Sequence, residues 1–249
     1  MRVFKMSQNL PTIIVPARLA SVRFPRKLLQ EVNGSPLIIH TANRLQEVAG
    51  EFETFFAVDG VELEETLRKK GFKTIRTDPD LPSGTDRIAQ ANQELCKDAV
   101  LNVQADEPLV EREHILSLVE GLARGNASMA TLATPFRNSS DFNDENQVKV
   151  VLDQAGFALF FSRLPIPAYR GSSLFDDFSK TDFVPLKHIG LYGYQASFLE
   201  KFARSPQGQL EKLEKLEQLR ALEMGDSIAV SVVQQGTIGI DVPEDLNKL

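Results

Sequence analysis

One cysteine, Cys96, stands in 249 residues, so no intramolecular disulfide can form, and a reducing compartment such as the cytoplasm is expected. No apolar run approaches the roughly eighteen residues that a membrane-spanning helix needs, so no stable membrane insertion is expected. The opening residues, MRVFKMSQNL, lack the apolar core of a secretion signal; residues 1–11 are expected to be a disordered leader, with Met6 as an alternative start. Excess positive charge is missing too: 28 basic against 34 acidic side chains leave a net −6. That argues against a nucleic-acid partner but not against a nucleotide, which needs only a local basic pocket. Neither glycine-rich phosphate signature, G-x-x-x-x-G-K-[ST] or G-x-G-x-x-G, occurs. There is no low-complexity tract, long linker or repeat of domain size.

What is present begins with PARLASVRFPRK, residues 16–27. It carries Arg18, Arg23, Arg26 and Lys27 and no acid, in a chain that is acidic overall. Two prolines and the preceding apolar TIIV (12–15) mark a strand running into a loop. Cations at the carboxyl end of a buried strand suit phosphates. The alternative is a surface loop paired with acidic neighbours.

Short β-branched runs then alternate with helical patterns. A helix is expected over 36–49, with Leu37, Ile38, Ala42, Leu45 and Ala49 on one face and Pro36 in its first turn. FFAV (55–58) reads as a strand. A helix over 61–70 is closed by Gly71 as a left-handed cap. KTIR (73–76) and AVLNV (99–103) are further strands, with helices over 87–95 and 111–124. This order implies an α/β fold with a mostly parallel, Rossmann-like sheet and helices on both faces. The second half reads as a β-rich lobe: SMATLATPF, VKVVLD, FALFFSR and KHIGLYGY are strands, with a DQAG turn at 153–156. Residues 171–185 read as a surface loop or the edge of a subunit contact. QLEKLEKLEQLRALEMG (209–225) reads as one amphipathic helix closed by Gly225. The expected organisation is a single domain, with a nucleotide half over about 12–125 and a second half over about 126–249.

Two acidic motifs stand at strand ends. LNVQADEP (101–108) runs from a strand into Gln104, Asp106 and Glu107, and GIDVPEDL (239–246) places Asp241 after a strand-like run. Such carboxylates lie in the ligand crevice of an open α/β sheet, and magnesium takes one or two of them together with phosphate oxygens. The alternative for each is a helix cap. Cys96 is expected to be buried and inert, and His40 and His114 structural.

Read together, PARLASVRFPRK, LPSGTDRI, NVQADEP, VKVVLD, ALFFSR, KHIGLYGY, LEKLEQLRALE and GIDVPEDL resemble the 3-deoxy-manno-octulosonate (Kdo) cytidylyltransferases over nearly the whole chain. The resemblance implies transfer of CMP from CTP to the anomeric 2-hydroxyl of Kdo, with magnesium, for lipopolysaccharide synthesis, in a homodimer. It implies that Arg18 and Lys27, with Arg23 in the same loop, hold the triphosphate, and that Ser83, Thr85 and their neighbours hold the cytidine. Asp106 and Asp241 become the magnesium ligands, with Gln104 beside them. Arg163, His188, Tyr192, Glu217 and Gln218 line the sugar site, although His188 also reads as a core histidine and Glu217 and Gln218 as a solvated helix face. Related acids, 8-amino-8-deoxy-Kdo or a sialic acid, and a non-catalytic nucleotide-binding homologue are the alternatives. The chain departs from the family at Arg26, where glycine is common, at Ala105, where Gln-Gly-Asp is usual, and at Val58, where Asp59 follows in place of a Thr-Asp pair.

Overall fold

The structure is a computed structural model and describes residues 10–20, 24–168, 183–240 and 242–248. The chain forms two compact units. One comprises Met1–Arg112, Gln195–Leu199 and Ile238–Leu249; the other comprises Glu113–Tyr194 and Glu200–Thr237.

In the first unit every residue of β1 (Thr12–Ala17) is buried, as its unbroken apolar sequence requires of an interior parallel strand. The small ladder β2 (Glu31–Val32) and β3 (Ser35–Pro36) leads into α1 (Leu37–Ala49). The five apolar positions of its predicted face are all buried. Then follow β4 (Thr54–Val58), α2 (Val61–Arg68), β5 (Thr74–Arg76), α3 (Gly84–Leu95) and β6 (Ala99–Asn102). The strands lie in the order β6-β1-β4-β5, all parallel, with Ile14 opposite both Phe55 and Asn102. Gly71 closes α2 at φ +87, its amide on the Arg68 carbonyl.

The rest of the chain, in the second unit but for Arg112 and Gln195–Leu199, forms α4 (Arg112–Leu122), β7 (Met129–Pro135), α5 (Ser139–Asn143), β8 (Lys149–Leu152), β9 (Ala158–Ser162), β10 (Leu186–Gln195), α6 (Ala196–Arg204), α7 (Gln209–Glu214), α8 (Gln218–Glu223) and β11 (Ile228–Val232). Here β7, β10, β8 and β9 pair antiparallel in that order, and β11 joins β7 in parallel. The β8–β9 hairpin turns at Gly156, φ +80, as the DQAG signal indicates. The mixed α/β architecture with a mostly parallel first sheet and a β-rich second lobe is the one expected.

Four local readings need correction. The single helix over 209–225 is two helices, broken at Lys215, φ +52. Folding α8 back brings the Glu223 carboxylate onto the free amides of Gln209 (2.8 Å) and Leu210 (3.0 Å) at the start of α7. A carboxylate there satisfies donors that a continuous helix would have left to water. A Cβ on Gly208 would lie 1.8 Å from that carboxylate, so a side chain there would push Glu223 off the α7 amides. Leu213, an apolar position of that expected amphipathic helix, is 80% exposed. Cys96 is exposed, because it is the left-handed residue (φ +51) that ends α3 at the surface. Residues 238–240 form no strand. Helices α5 and α6 and strand β11 lie in segments whose patterns were left unassigned.

Candidate active site

The basic loop leaves the carboxyl end of β1. Arg18 is exposed, and Arg23 lies outside the described residues. Arg26 takes the left-handed conformation, φ +54, at the position where the family favours glycine, and pairs with Glu62. A Cβ is strained there, by about 1 kcal/mol. Lys27 opens a short 3-10 helix and sets its ammonium on the Asp106 carboxylate, 79 positions away. Ala105 sits at ordinary, negative φ and its carbonyl accepts the Thr41 hydroxyl at 2.8 Å.

Asp106 follows β6, its side chain 28% exposed. Its backbone carbonyl accepts the Ile240 amide at 2.9 Å. The C-terminal motif is therefore tied to the acidic motif one residue before Asp241, which itself lies outside the described residues. Gln104 donates to Asn102 Oδ1 at 2.9 Å. Ser83 caps α3, accepting the Asp86 amide at 3.1 Å and donating to the Asp86 carboxylate at 2.7 Å. Thr85 is buried. A Cβ on Gly84 would lie 3.3 Å from Pro16 and 3.8 Å from Gln104 Oε1, so the start of α3 closes onto the ends of β1 and β6. Cations, a capped helix start and a carboxylate thus meet at the carboxyl ends of parallel strands, the ligand edge of such a sheet.

A second cluster lies in the second unit. Strand β10 carries two extra residues between Ile189 and Tyr192. The buried Thr131 hydroxyl fills this bulge, 3.1 Å from the Ile189 carbonyl, 2.8 Å from the Leu191 carbonyl and 3.0 Å from His188 Nε2. Carbonyls only accept, and they take the hydroxyl's one hydrogen; Nε2 of His188 therefore donates to Thr131. Burial drives the His188 pKa down to about 3, so the ring is neutral. Its ring lies 5.0 Å from Phe161 and 5.6 Å from Tyr192. The Tyr192 hydroxyl donates to Gln218 Oε1 at 3.4 Å. Burial, with the neighbouring Tyr194 and Glu217, raises the Tyr192 pKa and keeps the phenol protonated. Gln218 is 3% exposed, and its Nε2 has no hydrogen-bond partner among the described residues. That buried amide is a donor awaiting an acceptor.

Arg220, buried, holds this geometry. It grips Glu211 through two bonds, 2.6 and 2.7 Å, and stacks on Phe202, locking α8 to α7. Glu217 lies 3.7 Å from Arg220. Arg163 gives three of its five donors to the carbonyls of Glu214, Glu145 and Lys215. Among the described residues, no hydrogen bond links it to His188, Tyr192 or Gln218. Its backbone carbonyl is held at 2.8 Å by Lys149, fully buried, whose pKa burial lowers. Thr131, Lys149, Glu211 and Arg220 were invisible as site residues, since each acts through contacts made only in the fold.

The sequence matches the cytidylyltransferase family over residues 12–228. It is 42% identical to a 3-deoxy-manno-octulosonate cytidylyltransferase of Thermodesulfovibrio yellowstonii, over 94% of both chains. It is 39% identical to an 8-amino-3,8-dideoxy-manno-octulosonate cytidylyltransferase of Shewanella putrefaciens, over 95% of both. A solved structure of CMP:2-keto-3-deoxy-manno-octonic acid synthetase complexed with CTP shares the architecture at a TM-score of 0.87 and 33% identity, covering 96% of this chain and 95% of that one. With the match running from β1 through the basic loop and LNVQADEP of the first unit to the start of β11 in the second, the chain belongs to the cytidylyltransferase family.

Proposed function

We propose that the protein transfers CMP from CTP to the anomeric 2-hydroxyl of Kdo, releasing pyrophosphate, and that it does so in the cytoplasm, where CTP is held. The observation that carries this reading is the Lys27–Asp106 contact, which brings the basic loop onto the acidic strand end. The hydroxyl oxygen attacks the α-phosphorus as the bond from that phosphorus to the bridging oxygen breaks; the electron pair leaves with pyrophosphate and the hydroxyl proton passes to water. Arg18 and Lys27 neutralise the triphosphate and the departing pyrophosphate, the main catalytic demand in such transfers. Ser83, Thr85 and Gln104 stand where the nucleoside leaves the phosphates, at the closed start of α3.

Magnesium fits the donor set: Asp106 is a partly exposed carboxylate already holding a cation, and a magnesium site needs only one or two such oxygens beside phosphate and water. Asp106, with Asp241, would hold the ion, which supplies charge neutralisation at the phosphate oxygens when bound. In the second unit, Gln218, Tyr192 and His188 offer neutral donors and acceptors suited to sugar hydroxyls. His188 is too weak a base to take the attacking hydroxyl's proton. Arg163, with two donors not given to carbonyls, is the group suited to the sugar's carboxylate. Exposed apolar side chains of the second unit, Leu159, Leu164 and Leu213, suit a homodimer contact; sedimentation as a monomer at micromolar concentration would exclude it.

The test is pyrophosphate release with CTP, magnesium and a panel of Kdo, 8-amino-8-deoxy-Kdo and a sialic acid. Kdo should give the highest kcat/KM. Asp106→Asn, which keeps size but loses charge, should lower kcat at least about a hundredfold. Near-normal turnover by that variant would remove Asp106 from the site, and preference for another acid would reassign the substrate.

A further inference from the structure

Asp59 stands at the carboxyl end of β4, beyond the last β1–β4 pair, Ala17–Val58. Its amide donates to the Ala17 carbonyl at 3.2 Å, and its Oδ2 accepts the Leu19 amide at 2.9 Å. Those two bonds fall on either side of Arg18: the Ala17 carbonyl belongs to the peptide plane before it, and the Leu19 amide to the plane after it. Peptide planes are rigid, so tethering both leaves Arg18 little freedom in φ and ψ and sets the direction of its Cα–Cβ bond. The parallel ladder alone stops one residue too early to do this.

The surroundings show that Asp59 is held for more than a loop anchor. Its Oδ1 is buried with no hydrogen-bond partner among the described residues. Leaving a carboxylate oxygen in that state is costly. The buried guanidinium of Arg87, whose donors go to Thr77 and the Asp78 carbonyl, feels the attraction of Asp59 and the repulsion of Arg18. Asp78 attracts the same guanidinium, so the part of Asp59 that no neighbour shares is its pair of bonds around Arg18. Arg18 makes no hydrogen bond among the described residues and keeps its donors, whereas Lys27 is already taken by Asp106.

We infer that Asp59 is a positioning residue for CTP, aiming Arg18 by clamping both of its peptide planes, a role that rests on the basic loop holding the triphosphate as proposed above. A clamp of this kind lowers the ordering cost of binding, and its loss shows in nucleotide affinity rather than in sugar affinity.

The experiment measures CTP affinity by titration calorimetry with magnesium present, and initial rates against both substrates, for Asp59→Ala, Asp59→Asn, Arg18→Ala and the Asp59→Ala/Arg18→Ala pair. Thermal midpoints are taken on the same preparations. Asp59→Ala should weaken CTP about tenfold, the scale of one charge-assisted hydrogen bond, with the KM for the sugar acid within about twofold. Asp59→Asn, whose amide oxygen still accepts from Leu19, should recover most of that loss. In the Arg18→Ala background, Asp59→Ala should add less than about twofold, because a group acting through Arg18 has nothing left to aim. An Asp59→Ala protein that binds CTP normally while Arg18→Ala does not would overturn the clamp and leave the basic-loop reading intact. So would additive losses in the double variant. Where Asp59→Ala does not fold, the asparagine arm decides: a folded Asp59→Asn with a tenfold loss overturns the hydrogen-bond basis. Unchanged CTP affinity in Arg18→Ala would take down the basic-loop reading and the clamp with it.

Discussion

Acid should cost the wild-type protein stability that a His188→Gln variant keeps. His188 is buried against Phe161 and Tyr192, and no carboxylate offsets the burial that drives its pKa to about 3. In the unfolded chain the ordinary value is about 6.5. Between those two values the unfolded state binds a proton that the folded state refuses. The contribution of the ring is therefore complete above pH 6.5 and is lost as pH falls toward 3, at about 1.4 kcal/mol per pH unit. At pH 5 the loss from this one side chain is about 2 kcal/mol. Glutamine is the informative replacement, since its amide nitrogen can reach Thr131 as Nε2 does, yet it never ionises in this range. Urea unfolding of both proteins at pH 7.5 and pH 5.0 isolates the effect, because the acidic groups shared by both, Glu53 and Asp144 among them, contribute equally and cancel. The wild type should lose about 2 kcal/mol more than the variant, or about 4–8 °C in thermal midpoint for a chain of this size. Identical pH dependence in the two proteins would mean that the ring is not held neutral, and the reasoning from burial would fail.

Two further outcomes follow from particular contacts. Gln218→Ala removes the buried amide whose Nε2 has no partner among the described residues, and should raise the KM for the sugar acid about three- to tenfold with little change in the KM for CTP, by initial-rate kinetics; a shift confined to CTP would place Gln218 outside the sugar pocket. Arg26→Gly relieves a left-handed backbone and gives up only an exposed ion pair with Glu62, so it should stabilise the protein by about 1 kcal/mol, seen as a higher midpoint in calorimetry; a lower midpoint would show that the pair outweighs the strain.

Much of the first unit was legible because its signals are local. The apolar run of β1, the apolar face of α1 and the glycine after α2 each act on their own neighbours, and the structure uses them so. The basic and acidic motifs could be placed at strand ends because the apolar runs stop there, and the structure brings Lys27 of one onto Asp106 of the other. Asp59 was visible as a carboxylate at such an end; its grip on both sides of Arg18 was not, because two hydrogen bonds across 40 positions leave no mark in sequence spacing. Leucines at three-residue intervals argued for one helix over 209–225. The tertiary structure broke it at Lys215, and folding back lets Glu223 cap α7 and Arg220 bury its charge against Glu211, contacts a continuous helix could not make. Cys96 looked like core until its left-handed backbone carried it to the surface. In the second lobe, the alternation of β10 was readable, but the bulge was decided by Thr131 satisfying two freed carbonyls at once, and with it the proximity of His188 and Tyr192. Composition and periodicity determined the class of fold and the chemistry of its loops; packing across distant segments decided which side chains meet, because that depends on burial and pairing that no single stretch of chain contains.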